Sequence, residues 1–446
     1  MDRILCATDT PEPHWTTPGM PKSLLTLLLA SFTLSFVAVP QDDGRYLKDR
    51  DLAKLATALG NYVEAANTRS KLLEAEHDVQ GEMDKLAKKL KKAPVPDILA
   101  LPEDLGQALF LSRNYPKARG LKPGKILDAE YEGFDSIVRG KGALPYAVWA
   151  PSKYDAKKAT YPLFLTIPAE GEEPKQHILE QWMEGAIRDG AIIAAPKMPD
   201  NIDDWTGVKG DTGLARIMVL MRAMLENYAI DPDRIYICGR GTAGVPAAIK
   251  IASLFPDRFA GVIGRAGDLG EGVSAQNFGN LPTWLSGAGA RATAFKAEAK
   301  SLGWDDLVTI DPEGREAEFW TWANNNPRRT LPSTLTLYPH EPFPTRCYWI
   351  KSASGFSEGA SIKATVDREL NQITLEGDKV TDVILYLNDQ IIDLSRPVTV
   401  LANGQKHVDQ IPRSFRTCLE LIQLGTSDPK RVFVATMAYT LPAKPQ

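Results

Sequence analysis

This sequence predicts an α/β protein: a mostly parallel sheet with flanking helices, preceded by a helical region and followed by a small β-rich domain. Three observations carry the prediction. From Leu52 to Leu90, apolar residues recur at three- and four-residue spacing. Between residues 129 and 330, short continuous apolar runs alternate with helical stretches, as parallel strands buried on both faces require. Beyond 331 the runs become short and β-rich, and turn residues separate them.

Taken in order, the chain opens on a leader. Met20-Pro21-Lys22-Ser23 precedes the uncharged stretch Leu24–Val39, and the polar Gln41-Asp42-Asp43-Gly44 follows. A short positive region, an apolar stretch and a polar exit describe a secretory signal peptide starting at Met20, with residues 1–19 an over-extended start. Export, periplasmic or extracellular, with cleavage near residue 40 is the expectation. Residues 24–39 left uncleaved as a membrane anchor is the alternative.

Residues 45–128 are expected to be helical, as one long helix or as a hairpin broken near Asn67-Thr68, and Pro94-Val95-Pro96 ends the pattern. Packing or oligomerisation is the role this predicts. The basic run Lys85–Lys92 reads as a solvated helix face.

Across residues 129–330 the expected strands are Tyr146–Ala150, Leu163–Ile167, Ala191–Ala195, Ile235–Cys238, Gly261–Gly264, Thr283–Ser286 and Leu307–Ile310. The clearest helices between them are Ile178–Asp189, Thr212–Tyr228 and Val245–Phe255. Residues 331–446 give short strands at Thr334–Tyr338, Tyr348–Lys351, Ser361–Val366, Gln372–Leu375, Val383–Leu387 and Val398–Leu401, with one helix near Ser414–Leu424, which suggests a sandwich-like domain.

Composition narrows the function classes. With 43% hydrophobic and 24% charged residues, the 446-residue chain has ample material for a soluble globular core. A net charge of −4 supplies no overall basic field for nucleic acid. Cys6, Cys238, Cys347 and Cys418 form no CxxC pair, so no zinc or dithiol site is expected. Cys238 ends an apolar strand and reads as a core residue. Cys347 and Cys418 fit either a disulfide or two buried thiols. The neighbouring carboxylates Asp203, Asp204, Asp305 and Asp306 read as solvated loop residues, and no metal or other cofactor is expected. The turn Gly239–Gly244 lacks the spacing and the Lys-Ser/Thr ending of a phosphate loop.

Four segments in the middle region carry a resemblance. They are Tyr146–Tyr154 (YAVWAPSKY), Tyr161–Leu165 (YPLFL), Asp231–Gly239 (DPDRIYICG) and Phe255–Ala260 (FPDRFA). In their order and spacing they resemble the esterase, dienelactone hydrolase and prolyl-oligopeptidase side of the α/β-hydrolase superfamily, over about 200 residues. The resemblance implies a nucleophile elbow, in which small residues allow a sharp strand-to-helix turn that lifts a serine clear of the sheet. Here the turn is Gly239-Arg240-Gly241-Thr242-Ala243-Gly244, and glycine stands at the serine position, Gly241. Glycine offers no nucleophile. A register shift that made Thr242 the nucleophile would put Arg240 where the turn needs a small residue.

The other parts implied by the resemblance depart as well. The base is expected after the last strand, where Arg315 occupies the place of histidine. The five histidines are His14, His77, His177, His340 and His407, and none lies between 178 and 339. His177 is expected at a surface helix start, and His340 at the opening of the C-terminal domain. The acid position falls at Ala290, with Asp268 as an alternative whose plain reading is a loop or cap aspartate. After Leu163–Ile167, Pro168-Ala169-Glu170-Gly171 replaces a His-Gly-Gly oxyanion loop, and Glu170 would oppose an oxyanion. Trp182, Trp205, Trp284, Trp304, Trp320 and Trp322 could line a pocket over the strand ends or pack the core, with the core favoured for Trp284 and Trp320.

The expectation is therefore an exported, catalytically degenerate α/β-hydrolase homologue, a pseudo-esterase or pseudo-peptidase that binds or scaffolds a small molecule, peptide or protein. It would engage no nucleic acid, and a membrane only through an uncleaved leader. The alternative is an active carboxylesterase or peptidase with a rearranged site built on Thr242 or on a residue of a neighbouring domain.

Overall fold

Two amphipathic helices, Asp49–Thr68 and Leu72–Leu90, come first in the described chain and form a hairpin. Arg69 and Lys71 take left-handed conformations (φ 54° and 56°) and turn it directly after Thr68. The structure is a computed structural model. It describes residues 45–91, 95–113, 120–132, 142–169, 171–207, 209–287, 289–311, 317–339, 344–353, 355–424 and 428–443, all within one compact unit, Gly44–Gln446. The leader and its expected cleavage region lie outside these residues. Among the described residues, no helix is long and apolar enough to cross a membrane.

The central layer is an eight-stranded sheet. Its strands are β1 (Ile126–Tyr131), β2 (Leu144–Trp149), β3 (Tyr161–Ile167), β4 (Ile192–Pro196), β5 (Ile230–Arg240), β6 (Gly261–Arg265), β7 (Thr283–Ser286) and β8 (Val308–Asp311). Their order is β1-β2-β4-β3-β5-β6-β7-β8. The strands β3 to β8 run parallel, and β2 runs antiparallel to β4. Helices Gly213–Asn227, Gly241–Leu254 and Ala290–Ser301 pack on one face, around Leu165, Ile237, Val262 and Leu285. Helices Pro174–Gln181, Gly185–Gly190 and Ala317–Asn325 cover the other, around Phe164, Cys238, Ile263 and Trp284. Both faces are covered, which explains why β3, β4, the Ile235–Gly239 part of β5 and the Gly261–Gly264 part of β6 are almost wholly apolar. This is an α/β-hydrolase-type sheet with flanking helices.

The C-terminal region adds two sheets. One has the order β10-β11-β14-β17, made of Arg346–Cys347, Ile350–Ser352, Asp382–Leu387 and Ala435–Thr440. The other has the order β16-β15-β13-β12-β9, made of Gln405–Asp409, Val398–Ala402, Gln372–Asp378, Ser361–Asp367 and Thr334–Leu337. Helix Phe415–Leu424 joins them. Their core is shared with the N-terminal hairpin: Leu52, Leu59, Val79 and Met83 belong to the same buried cluster as Trp349, Leu385 and Val400. The hairpin therefore buries its apolar faces within its own chain.

Several elements differ from expectation. The single helix expected over Ile178–Asp189 is two helices, because Trp182 leaves helical geometry (φ −131°, ψ 3°) to bury its indole. The expected strand Tyr348–Lys351 is a tight hairpin, β10 to β11, turned by Tyr348 at φ 51°. The helix expected from Val245 begins at Gly241, since a glycine- and alanine-rich turn carries no apolar period to read. Cys238, Cys347 and Cys418 are separate buried thiols, and Cys6 lies outside the described residues.

Candidate functional site

At the carboxyl ends of the parallel strands, where open α/β sheets bind ligands, the chain makes an abrupt turn. Strand β5 ends at Arg240, and helix Gly241–Leu254 starts at the next residue. Gly241 has φ 72°, a left-handed conformation that glycine adopts without strain. The surroundings are equally close. A Cβ on Gly239 would overlap the Gly244 carbonyl oxygen, and one on Gly267 would overlap the Gly241 carbonyl oxygen. A Cβ on Gly244 would lie 2.9 Å from the Ile167 oxygen. The glycines at 239, 241 and 244 thus let strand, turn and helix pass within contact distance, which is the geometry of a nucleophile elbow.

The loop after β3 passes close to Gly241. A Cβ on Gly241 would stand 3.3 Å from the Ala169 Cβ. In an elbow, an oxyanion is held by the N–H after the nucleophile and by an N–H of the loop following the third strand. Here the Ala169 N–H donates to Glu172 Oε2 at 2.8 Å. The second Glu172 oxygen accepts from Arg240 Nη1 at 3.1 Å. A side-chain carboxylate of this chain therefore occupies a donor that an oxyanion would use, and an ion pair ties the loop to the elbow.

Behind Glu172 the network runs inward. His177 Nδ1 lies 2.7 Å from Glu172 Oε2, and Trp182 Nε1 donates to His177 Nε2 at 3.0 Å. An indole N–H can only donate, so His177 Nε2 carries the lone pair and Nδ1 carries the hydrogen. Burial pushes the imidazole below its usual range despite the opposing Glu172, and Arg240 and Arg265 push the same way. The hydrogen bond from His177 holds the Glu172 carboxyl down at about 2, against burial, with help from the Ala169 N–H and Arg240. The expected surface position of His177 is corrected: its side chain is fully buried. With both nitrogens engaged, it has no free face to act as a base.

Adjacent strand ends continue the polar row. Arg240 on β5 is in register with Arg265 on β6, then Ser286 on β7, then Asp311 on β8. Arg265 is buried, with its guanidinium 4.7 Å above the Trp182 ring and 5.5 Å from that of Phe319, and it donates to the Gln181 carbonyl. Neither arginine stood out in the sequence as a site residue. The signal was one charged residue at the end of each of two adjacent apolar strands.

The remaining candidates are scattered. Thr242 is exposed in the first turn of the elbow helix. Ala290 is exposed and opens helix Ala290–Ser301. Asp268 accepts from the backbone N–H groups of Leu269, Arg291 and Ala292 at 2.9, 3.2 and 3.1 Å. Burial works against its ionisation, yet these donors and the Gly289 N–H hold its carboxyl below the usual range. It caps that helix from across a loop, the role its sequence context suggested. Arg315, Glu170 and His340 lie outside the described residues. His407 lies on β16, its ring 5.4 Å from that of Tyr439.

Trp182, Trp205 and Trp284 are buried. Trp320 stacks on Phe164 with ring centres 6.1 Å apart, and Trp322 packs against Gly261. These side chains serve the core rather than an open pocket. Asp204, Asp305 and Asp306 are exposed, and no cluster suited to a metal ion occurs among the described residues.

Sheet order and elbow together define an α/β-hydrolase-type domain. No family model matches the sequence, and no curated protein matches it either. Solved structures similar to part of the chain include a thermostable esterase at 17% identity and TM-score 0.38, covering 46% of this chain and 63% of that one. A feruloyl esterase module from Clostridium thermocellum has 15% identity and TM-score 0.33, with coverages of 45% and 87%. An S-formylglutathione hydrolase from Staphylococcus aureus has 12% identity and TM-score 0.32, with coverages of 45% and 95%. The similarity thus spans less than two thirds of the first esterase's length.

Proposed function

We propose that this chain is an exported α/β-hydrolase homologue without a working serine–histidine–acid set, acting by binding or scaffolding a small-molecule, peptide or protein ligand. The observation that carries the reading is at Gly241, which holds the nucleophile's place with φ 72° and no side chain. Glu172, seated on the Ala169 N–H, adds to it, because a carboxylate there repels a developing oxyanion. His177 adds to it as well, since its ring is committed to Glu172 and Trp182. The test is turnover of short-chain nitrophenyl esters together with labelling by a fluorophosphonate probe. Neither should exceed background. Robust turnover abolished by changing one residue, Thr242 foremost, would overturn the reading in favour of a rearranged active site.

A further inference from the structure

Trp304 belongs to none of the apolar clusters and is half-buried. It stands just before β8, as Gly279-Asn280 stands before β7. Both therefore lie toward the amino ends of the parallel strands, at the opposite end of the sheet from Gly241. Strand β9 of the C-terminal region meets them there, where Asn280 Nδ2 donates to the Thr334 carbonyl at 2.9 Å. With residues 329–334 and Thr336 they line a groove of about 500 Å3. That size suits a small molecule, and junctions between structural layers are where such sites concentrate.

Backbone contacts set the walls. The Trp304 N–H donates to the Ala299 carbonyl at 2.8 Å. Gly279 backs one face of the indole, since a Cβ there would lie 2.7, 2.8 and 3.1 Å from the adjacent ring atoms Cε2, Cζ2 and Cδ2. On the far wall, the Pro332 carbonyl accepts from Trp349 Nε1 at 2.9 Å, and the Ser333 carbonyl accepts from the Val366 N–H at 2.7 Å.

The polar side chains keep bonding capacity. The Thr334 carbonyl can only accept, so Asn280 gives it Nδ2 and keeps Oδ1 as an acceptor. Among the described residues, no hydrogen bond engages that Oδ1, the Trp304 indole N–H or the hydroxyls of Ser333, Thr334 and Thr336. Arg329 is exposed and has no ion-pair partner among the described residues. No carboxylate occurs among the described lining residues. An anion would call for donors alone. Here donors, an acceptor and hydroxyls that do both surround an aromatic ring, which complements a ring bearing several hydroxyls. The electron-rich face of an indole attracts the weakly positive C–H groups on the face of such a ring.

We propose that this groove binds a neutral saccharide, with one pyranose ring stacked on Trp304 and its hydroxyls shared among Asn280, Thr336 and Arg329. The site does not depend on the state of the elbow.

Calorimetric titration of the full chain with cellotetraose, xylotetraose and mannotetraose tests the proposal. At least one should bind with a dissociation constant on the order of 100 µM. Trigalacturonate, which brings negative charge, should bind no tighter. Trp304→Ala should weaken the best binder at least about tenfold by removing the platform, whereas Trp304→Phe, which keeps a ring, should lose only about threefold. Ser333→Trp should abolish binding by filling the groove. Ser333 is exposed, so this variant decides the matter where Trp304→Ala does not fold. Thermal unfolding confirms which variants are folded. No binding of any of the three neutral sugars, tighter binding of trigalacturonate, or unchanged binding by a folded Trp304→Ala or Ser333→Trp variant would overturn the site.

Discussion

Arg240, the residue ahead of the elbow glycine, holds Glu172 of the loop after β3 at 3.1 Å. This ion pair joins the elbow to the loop after β3, the two segments whose N–H groups face an oxyanion in a nucleophile elbow. The same carboxylate takes the Ala169 N–H at 2.8 Å, so the pair also orients a backbone donor inward. The elbow keeps its shape, with the Glu172 carboxylate seated on the Ala169 N–H beside it.

Restoring the nucleophile alone should therefore restore little. Gly241→Ser puts a side chain at φ 72° and its Cβ 3.3 Å from that of Ala169, and should cost about 1–2 kcal/mol of stability. Combined with Arg315→His, it should raise nitrophenyl-ester turnover by less than about tenfold, because Glu172 still occupies the oxyanion donor. A rise of several orders of magnitude would mean that the rest of the site is intact.

The elbow glycines should rank by what a methyl group would meet. Gly239→Ala drives a Cβ into the Gly244 carbonyl oxygen, which is backbone and cannot swing away. Gly241→Ala meets the Ala169 Cβ at 3.3 Å and strains φ. Chemical denaturation should show a loss of about 3 kcal/mol or more for the first and about 1–2 kcal/mol for the second. The reverse order would contradict the turn geometry.

Acid should weaken the fold through His177 first. Its folded pKa lies below the usual 6.5, burial being the main cause. Its contribution is complete above about pH 6.5 and is lost as pH falls from there toward the folded pKa. Glu172, lowered from 4.5 to about 2 by the hydrogen bond from His177, loses its contribution between those values as pH falls further. His177→Phe should cost about 2 kcal/mol at pH 8, since the Trp182 N–H and Glu172 lose their partner. Its urea midpoint should fall less than the wild type's between pH 7 and pH 5. Parallel profiles would remove His177 as the source.

A buried ion pair fastens the C-terminal sheets to the central one. Arg328 makes two bonds to Asp428, at 2.7 and 3.1 Å, and a third to Asp233 at 3.1 Å. Removing one partner strands the other charge in the interior. Asp428→Asn should cost about 3 kcal/mol and should speed amide exchange in β17 more than in β5. Uniform acceleration would show that the pair supports the whole chain rather than this junction.

Much of the architecture was legible from local pattern. Strand Thr283–Ser286 was read to the residue, because a four-residue segment centred on Trp284-Leu285 between Pro282 and Gly287 is too short for a helix and is bounded by turn residues. Strands β1, β16 and β17 were not read. Ile126–Tyr131 and Gln405–Asp409 are half-exposed and mix polar with apolar residues, so they are strands only because β2 and β15 pair with them. The same limit hid the site's polar row. Arg240, Arg265, Ser286 and Asp311 are dispersed along the sequence and meet only through parallel register.

The sequence by itself determined the alternating α/β pattern, the glycine-rich turn after β5 and the placement of Gly241 within it, because these rest on neighbours along the chain. Tertiary structure alone decided that His177 is buried and fully bonded, and that Glu172 bridges the Ala169 amide to Arg240. It alone set the N-terminal hairpin against the C-terminal sheets. Those outcomes depend on which distant groups share space. A buried polar group must find partners wherever the fold supplies them, and no spacing along the chain encodes that choice.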